Sequence, residues 1–237
     1  LREGPFKKFE MGKGSASYLI SAKTSYLEQS SKYLYNYIAD SLPFNYTDIF
    51  GKVSFNAANG SKVNVFGFNF RDNVNYGALS NLNWNSSGIG SNFIIVPDGS
   101  SVMIRANMSY SNYSIELSDA NNVPRSSDIS GYSGGLDFIY FQGKNEFVWG
   151  LETLGFTTDY IFQNAIGRTL SQRENTTELA AYTKYKMNRG ALVLEPSFRI
   201  HYYASLSDVS LEPRLGAKYN LTEVFRLKFA GGFYSQN

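Results

Sequence analysis

The chain has 237 residues, of which 43% are hydrophobic, 16% aromatic and 18% charged, and its formal net charge is +2. So small a net charge gives no reason to expect a nucleic-acid partner, because nucleic-acid binding depends on a strongly basic surface. The sequence contains no cysteine, which excludes a disulfide framework and a thiolate metal site. Its apolar runs are much shorter than the roughly 20 residues of a transmembrane helix, so a helical membrane protein is also excluded.

The dominant sequence pattern is an alternation of apolar and polar residues, which predicts β-strands with one apolar face. Along the chain this pattern predicts about twelve strands and a short helix near 28–39. The fifth strand is too long to be regular throughout, so we expect a β-bulge at Ser86–Gly90. The predicted strands lie near 1–7, 15–26, 46–57, 62–71, 77–97, 101–117, 129–141, 146–158, 177–188, 191–203, 207–219 and 224–236.

The connections between these strands are of two kinds. Tight polar turns are predicted at 58–61, 97–100, 142–145, 188–190 and 220–223. Longer polar connections are predicted near 28–44, 118–128 and 161–176. Short and long connections that alternate along the chain are typical of outer-membrane barrels, which have short periplasmic turns and longer external loops.

Three features favour a membrane barrel over a soluble β-sandwich, which would also alternate. The predicted strands are long enough for a tilted membrane crossing of about 9–11 residues. Charged residues occur in mid-strand on the face opposite the apolar one. Aromatic residues stand near strand ends, where the girdles of a barrel lie: Trp84, Tyr110, Tyr113, Tyr140, Phe141, Tyr202, Tyr203, Tyr219 and Tyr234. The predicted fold is therefore an all-β, antiparallel, up-and-down transmembrane β-barrel.

The charged residues of the polar face are the candidate functional residues of the wall. We expect the following side chains to face a water-filled lumen: Arg105, Lys184, Glu195, Arg199, His201, Glu212, Arg214 and Lys228. Glu195 and Glu212 are a pair of carboxylates, but nearby arginines favour a cross-strand charge ladder over a hydrolytic pair. His201 is the single histidine and cannot form a two-histidine metal site. We predict that the protein is not an enzyme and has no cofactor or metal.

The external connection Glu28–Phe44 is the best candidate for contact with a ligand or partner. It carries an amphipathic aromatic set that consists of Tyr33, Tyr35, Tyr37 and Phe44. Such residues contact either a substrate or a lipoprotein partner, or they pack over the rim of the barrel. The sequence alone leaves these alternatives open.

Several segments resemble the TonB-dependent outer-membrane receptors, in particular the large receptors of Bacteroidetes. The segment Leu1–Pro5, followed by Ser17–Leu27, is similar to the first hairpins after the plug domain of that family. Trp84-Asn85, Ser91–Phe93 and Ser109–Tyr113 resemble a mid-barrel hairpin. The most specific likeness joins Glu212-Pro213-Arg214 to Tyr234-Ser235-Gln236, which resemble the "EPR" and "YSQ" strands of these barrels.

The resemblance implies a barrel of about 22 strands that encloses a plug. Residues 1–237 would then form part of a single barrel domain, and the plug and the C-terminal strands would lie outside this chain. It also implies nutrient import (siderophore, cobalamin, glycan or peptide) across the outer membrane of a Gram-negative bacterium. The expected partners are outer-membrane lipid, the TonB complex through the plug, and a surface lipoprotein or other outer-membrane subunit.

Three other functions remain open from the sequence. The first is a passive, porin-like channel with an open lumen. The second is a non-transport barrel component of an outer-membrane assembly. The third is a soluble β-rich binding domain, whose exposed aromatic residues would stack on sugars.

Overall fold

The computed structural model describes residues 1–8, 14–34, 42–77, 79–119, 124–164 and 166–235. Within these ranges the chain forms twelve β-strands and one α-helix. In chain order they are β1 (Arg2–Lys8), β2 (Ser15–Thr24), α1 (Leu27–Leu34), β3 (Phe44–Asn56), β4 (Lys62–Asn75), β5 (Ser80–Ile95), β6 (Val102–Asp119), β7 (Pro124–Gln142), β8 (Asn145–Gln163), β9 (Thr169–Arg189), β10 (Leu192–Tyr203), β11 (Asp208–Asn220) and β12 (Arg226–Gly232).

The strands form one antiparallel sheet whose spatial order is the chain order, from β1 to β12. Each strand pairs with the strand before it and the strand after it, while β1 and β12 each pair on one side. This architecture confirms the predicted all-β, up-and-down fold and its twelve strands. Among the described residues, no helix combines the length and the apolar content that crossing a membrane requires.

The strand register assigns every side chain to one of two faces, because directly opposite residues point the same way. One continuous row runs from Arg105 through Asp137, Gly150 and Tyr182 to Arg199, and then to Glu212 on β11. We call the face that carries this row the inner face, and the opposite face the outer face. The inner face is the more crowded, and we take it as the concave one, because it carries these buried residues: Ile139, Val148, Ala180, His201, Tyr203 and Glu212.

The outer face carries an apolar band across β6–β11. Its exposed side chains include Met108, Leu151, Leu179, Ile200, Phe198 and Leu211. Aromatic rows bound the band, with Tyr140, Phe147 and Tyr185 at one edge and Tyr110 and Tyr132 at the other. In β6 the band runs from Val102 to Tyr110, which at about 3.4 Å per residue and a tilt of about 40° spans roughly 20 Å. This height suits the hydrocarbon layer that the sequence analysis predicts.

Beyond the Tyr110–Tyr132 edge the strands continue, but the outer face becomes polar. The segments 118–128 and 161–176, predicted as external loops, lie mostly within β6–β9, so that prediction is wrong. These polar strand ends are held by backbone pairing and by side-chain contacts such as Thr157 Oγ1 to Asn175 Oδ1 at 2.6 Å. They lack the apolar alternation of a membrane segment because polar residues occur on both faces of the sheet there.

The tight turns lie together at one end of the sheet, as predicted. Gly60, Gly99, Gly143 and Gly190 adopt positive φ angles in these turns, a conformation that glycine reaches without a steric penalty. At the opposite end, the connection between β2 and β3 contains α1, which confirms the predicted helix for Leu27–Leu34; positions 35–39 lie outside the described residues. The connections 76–79 and 204–207 at this end are short, so short and long connections do not alternate strictly.

The predicted bulge at Ser86–Gly90 is wrong, since β5 pairs with β4 and β6 without a register shift there. The glycines in this segment have a different role. A Cβ atom on Gly90 would lie 2.6 Å from Cζ of Phe66, and one on Gly88 would lie 2.8 Å from the Phe68 ring. The two phenylalanine rings therefore lie over glycine backbone on the neighbouring strand, on the inner face.

The predicted aromatic girdle is only partly correct. Tyr110, Tyr140, Tyr202 and Tyr219 lie on the outer face, where a girdle requires them. Other members of the predicted set lie on the inner face: Trp84, Tyr113, Phe141, Tyr203 and Tyr234. They are an odd number of residues away from the outer positions of their strands, and the period of two turns them inward.

The two tryptophans provide a test of the two faces, since Trp84 lies on the inner face and Trp149 lies in the outer apolar band. In lipid vesicles of the purified protein, we expect Trp149→Phe to remove the emission that brominated acyl chains quench. We expect Trp84→Phe to remove emission that aqueous acrylamide quenches. Exchanged behaviour of the two variants would contradict the assignment of the faces.

The close approach of Phe66 to Gly90 gives a second prediction. Gly90→Ala forces the ring away from the wall and should lower the free energy of unfolding by about 1–2 kcal/mol, as overpacking does. Gly51→Ala is the matched control, because no atom lies within 4 Å of the added Cβ and no such loss is expected. Urea unfolding in lipid or detergent measures both, and Phe66→Ala in the Gly90→Ala background should relieve the clash. Equal losses for the two alanine variants would exclude this packing role.

Candidate functional site

The register places every predicted lumen residue on the inner face of β6 and β9–β12. These residues are Arg105, Lys184, Glu195, Arg199, His201, Glu212, Arg214 and Lys228. Their common face follows from backbone pairing. That this face encloses a water-filled lumen stays a prediction.

Ion pairs connect these residues into a ladder across the strands. Arg105 Nη2 lies 2.7 Å from Asp137 Oδ2, and Arg199 Nη1 lies 2.5 Å from Glu152 Oε2. Lys184 Nζ lies 3.5 Å from Glu195 Oε1. The ladder agrees with the sequence-based interpretation of Glu195 as a wall residue, although its partner is Lys184 rather than an arginine.

Sequence reasoning missed three acidic members of this ladder: Asp137, Glu152 and Glu178. They stand on the neighbouring strands β7–β9, on the face that the register shares with Arg105 and Arg199. For Glu178 the available signal was parity, because it is an even number of residues from Lys184 on the same strand. Strands β7 and β8 carry no predicted lumen residue that could have indicated the face of Asp137 and Glu152.

Small residues let the long side chains reach across a whole strand. Tyr182 on β9 lies over Gly150 on β8, and its hydroxyl donates a hydrogen bond to Asp137 on β7. Arg199 on β10 similarly reaches Glu152 on β8. On the intervening strand β9, the residue directly opposite Glu152 is the small Ala180. Between these groups lies a polar pocket of about 290 Å³.

His201 lies in the same pocket and is largely buried. Its Nε2 is 3.2 Å from Glu178 Oε2, and its ring centre is 4.3 Å from that of Tyr203. Across the described part of the chain, histidine and carboxylate side chains form no group of three or more that could hold a metal ion. The charged groups of the pocket are engaged in the contacts Asp137–Tyr182, Glu152–Arg199 and Glu178–His201.

Glu212 is the most deeply buried charge, with 2% of its surface exposed. It forms an ion pair with Arg214, and it accepts hydrogen bonds from the Ser235 hydroxyl and from the Ser235 backbone N–H at 3.2 Å. Arg214 in turn lies 4.5 Å from the ring centre of Tyr234. The two sequence motifs that resemble a receptor barrel therefore contact each other and fix the end of β12 against β11.

The predicted loop contacts are described only in part. Tyr33 lies in the last turn of α1 with 85% of its surface exposed, and Phe44 begins β3 on the inner face with 41% exposed. Tyr35 and Tyr37 lie outside the described residues. Contact of this loop with a substrate or partner stays a prediction.

A second feature of the inner face was not predicted from the sequence. At the level where the outer face has become polar, β3–β6 turn aromatic residues inward, and we call this set the aromatic field. It consists of Tyr46, Phe50, Phe68, Phe70, Trp84 and Tyr113. Phe68 and Phe70 stack with their ring centres 4.9 Å apart.

Comparison with known proteins identifies the fold. No protein-family model matches the sequence, and no curated protein matches it. Among solved structures, the chain is similar to the FrpB iron transporter of Neisseria meningitidis, with a TM-score of 0.64, 12% identity and coverage of 92% of this chain and 40% of FrpB. It is similar to the ferric enterobactin receptor PfeA of Pseudomonas aeruginosa, with a TM-score of 0.59, 10% identity and coverage of 96% of this chain and 43% of PfeA.

The outer membrane transporter YddB of Escherichia coli gives the same result, with a TM-score of 0.57, 11% identity and coverage of 88% of this chain and 34% of YddB. The chain thus spans less than half the length of each of these proteins. At such low identity the likeness concerns the fold. These twelve strands have the fold of part of an outer-membrane transporter barrel, and the predicted outer-membrane location agrees with it.

Proposed function

We propose that this chain forms part of the wall of a TonB-dependent outer-membrane transporter, which imports a nutrient with energy from the inner membrane. The observation that carries the proposal is the opposite character of the two faces within one band of strands. The outer face exposes apolar residues between two aromatic rows, while the inner face at the same level holds paired charges. A sheet with these two faces separates hydrocarbon from water, and its fold is that of solved outer-membrane transporters.

Closure of the sheet is the second part of the proposal. β1 and β12 each have one edge of unpaired backbone groups, and hydrocarbon cannot satisfy such groups. We infer that further strands of a longer polypeptide join these edges and complete a barrel of about 22 strands. The plug that closes the lumen would belong to the same polypeptide and would make the contact with the TonB complex.

The partners follow from the same arrangement. Outer-membrane lipid would surround the apolar band. The exposed end of α1 with Tyr33, and the strand start at Phe44, provide the surface for a lipoprotein or another outer-membrane subunit. Siderophore, cobalamin, glycan and peptide all remain open as the cargo of this proposed transporter.

Energy dependence separates this function from that of a passive channel, which needs no energy source. The cargo is first identified as a nutrient whose uptake requires the full-length protein. In cells that express this protein, uptake of that nutrient should stop when a protonophore collapses the proton gradient. In a planar bilayer the purified protein should be closed at rest. Continued uptake without the gradient, or a steady open conductance, would contradict active import and favour the porin-like alternative.

A further inference from the structure

We propose that the aromatic field binds a small organic cation, such as a quaternary ammonium or protonated amine with an apolar body. The proposal names a ligand class for the inner face, and it rests on the proposed function in that this face must line the solute path. The position, the ring packing and the charge of the field support it.

The position of the field places it outside the hydrocarbon layer. At the level of the aromatic field, asparagines on the outer face of β4 and β5 hydrogen-bond to one another. The Asn69 side chain, for example, donates to Asn85 Oδ1 at 3.1 Å. Water therefore borders the outer face at this level, and lipid cannot account for aromatic residues on the opposite face. Trp84 and Tyr113 are directed inward, where a solute passes in the proposed transporter.

The packing of the field leaves ring surface available. Phe68 lies over Gly88, which has no side chain to separate the ring from the wall, and it stacks on Phe70. Phe70 keeps 39% of its surface exposed. A ring that lies against the backbone on one side presents its other side to a ligand, and the face of an aromatic ring attracts cations.

Two carboxylates are interleaved with the rings. Asp72 stands between Tyr46 and Trp84 in one row, and Asp48 stands beside Phe70 in the next. Lys23 is opposite Asp48 in the register, yet neither aspartate forms an ion pair in the described part of the chain. In the ladder, by contrast, Asp137, Glu152, Glu195 and Glu212 each form an ion pair with an arginine or lysine, and Glu178 contacts His201.

This combination selects one ligand chemistry. An anionic ligand would be repelled by both aspartates. A neutral apolar ligand would remove water from them without giving a hydrogen bond or charge in return. An organic cation satisfies the carboxylates by charge and the rings by cation–π attraction, while its apolar body covers the remaining aromatic surface.

Calorimetric titration of the purified protein with benzyltrimethylammonium tests the proposal. Benzyl alcohol and benzenesulfonate carry the same ring without charge and with negative charge, and we expect both to bind at least about tenfold more weakly. The Asp48→Asn/Asp72→Asn variant should lose about tenfold in affinity for the cation, since it keeps the shape and removes the charge. Asp98→Asn, in a tight turn at the opposite end of the sheet, is the matched control and should bind as the parent does.

Tryptophan emission locates the binding. In the Trp149→Phe background the cation should change the emission of Trp84, and Trp84→Phe should abolish that change. Equal binding of the three probes, or an equal loss in the Asp98→Asn variant, would overturn the proposal. Binding to purified protein needs no energy source, so failure here leaves energy-dependent uptake untouched, and failure of uptake leaves this titration interpretable.

Discussion

The need to satisfy backbone hydrogen bonds in hydrocarbon is the constraint on which the rest of the structure depends. A strand that crosses a bilayer has no water to hydrogen-bond its N–H and C=O groups, so neighbouring strands must accept and donate every bond. Strands β2–β11 meet this requirement by pairing on both sides with their neighbours in chain order, whereas β1 and β12 pair on one side in the described residues. Once pairing is complete the register is fixed, and the period of two decides which side chains meet lipid and which meet the interior. The apolar band and the charge ladder are two consequences of one register.

The register places charged side chains on the inner face directly behind the apolar band, and the ladder pairs these charges with one another. The same strands that expose Leu151 and Ile200 to lipid hold Glu152 and Arg199 on their other face. Unpaired charges near a low-dielectric layer are costly, whereas mutual pairing leaves a wall with little net field. The small residues Gly150 and Ala180 matter here because they allow Tyr182 and Arg199 to reach acidic partners across an intervening strand. The Tyr182–Asp137 and Arg199–Glu152 contacts therefore depend on a small residue in the strand that they cross.

The sequence was sufficient to predict the strand number and the faces of β9–β12, because residues such as Leu211 and Glu212 alternate cleanly between lipid and interior. It was insufficient where the environment changes along a strand. At 161–176 polar residues occur on both faces, the alternation fades, and a paired strand resembles a loop. At Phe66-Gly67-Phe68 the alternation persists with its meaning reversed, since the aromatic residues point inward. The partners of Arg105 and Arg199 depend on contacts between distant segments, which a local pattern does not encode.

In the proposed transporter, the reversal of polarity along β4–β6 indicates where the wall would discriminate between solutes. The charged groups of the ladder are engaged with each other, so a passing solute would have to displace an existing ion pair to gain a contact. In the aromatic field, Trp84 and Tyr46 offer ring surface and the neighbouring Asp72 a charge that no ion pair engages among the described residues. Groups whose interactions are not already satisfied within the fold are those that gain most from a ligand. In the proposed transporter, selectivity would therefore belong to the aromatic field, and the buried ladder would maintain the shape that presents it.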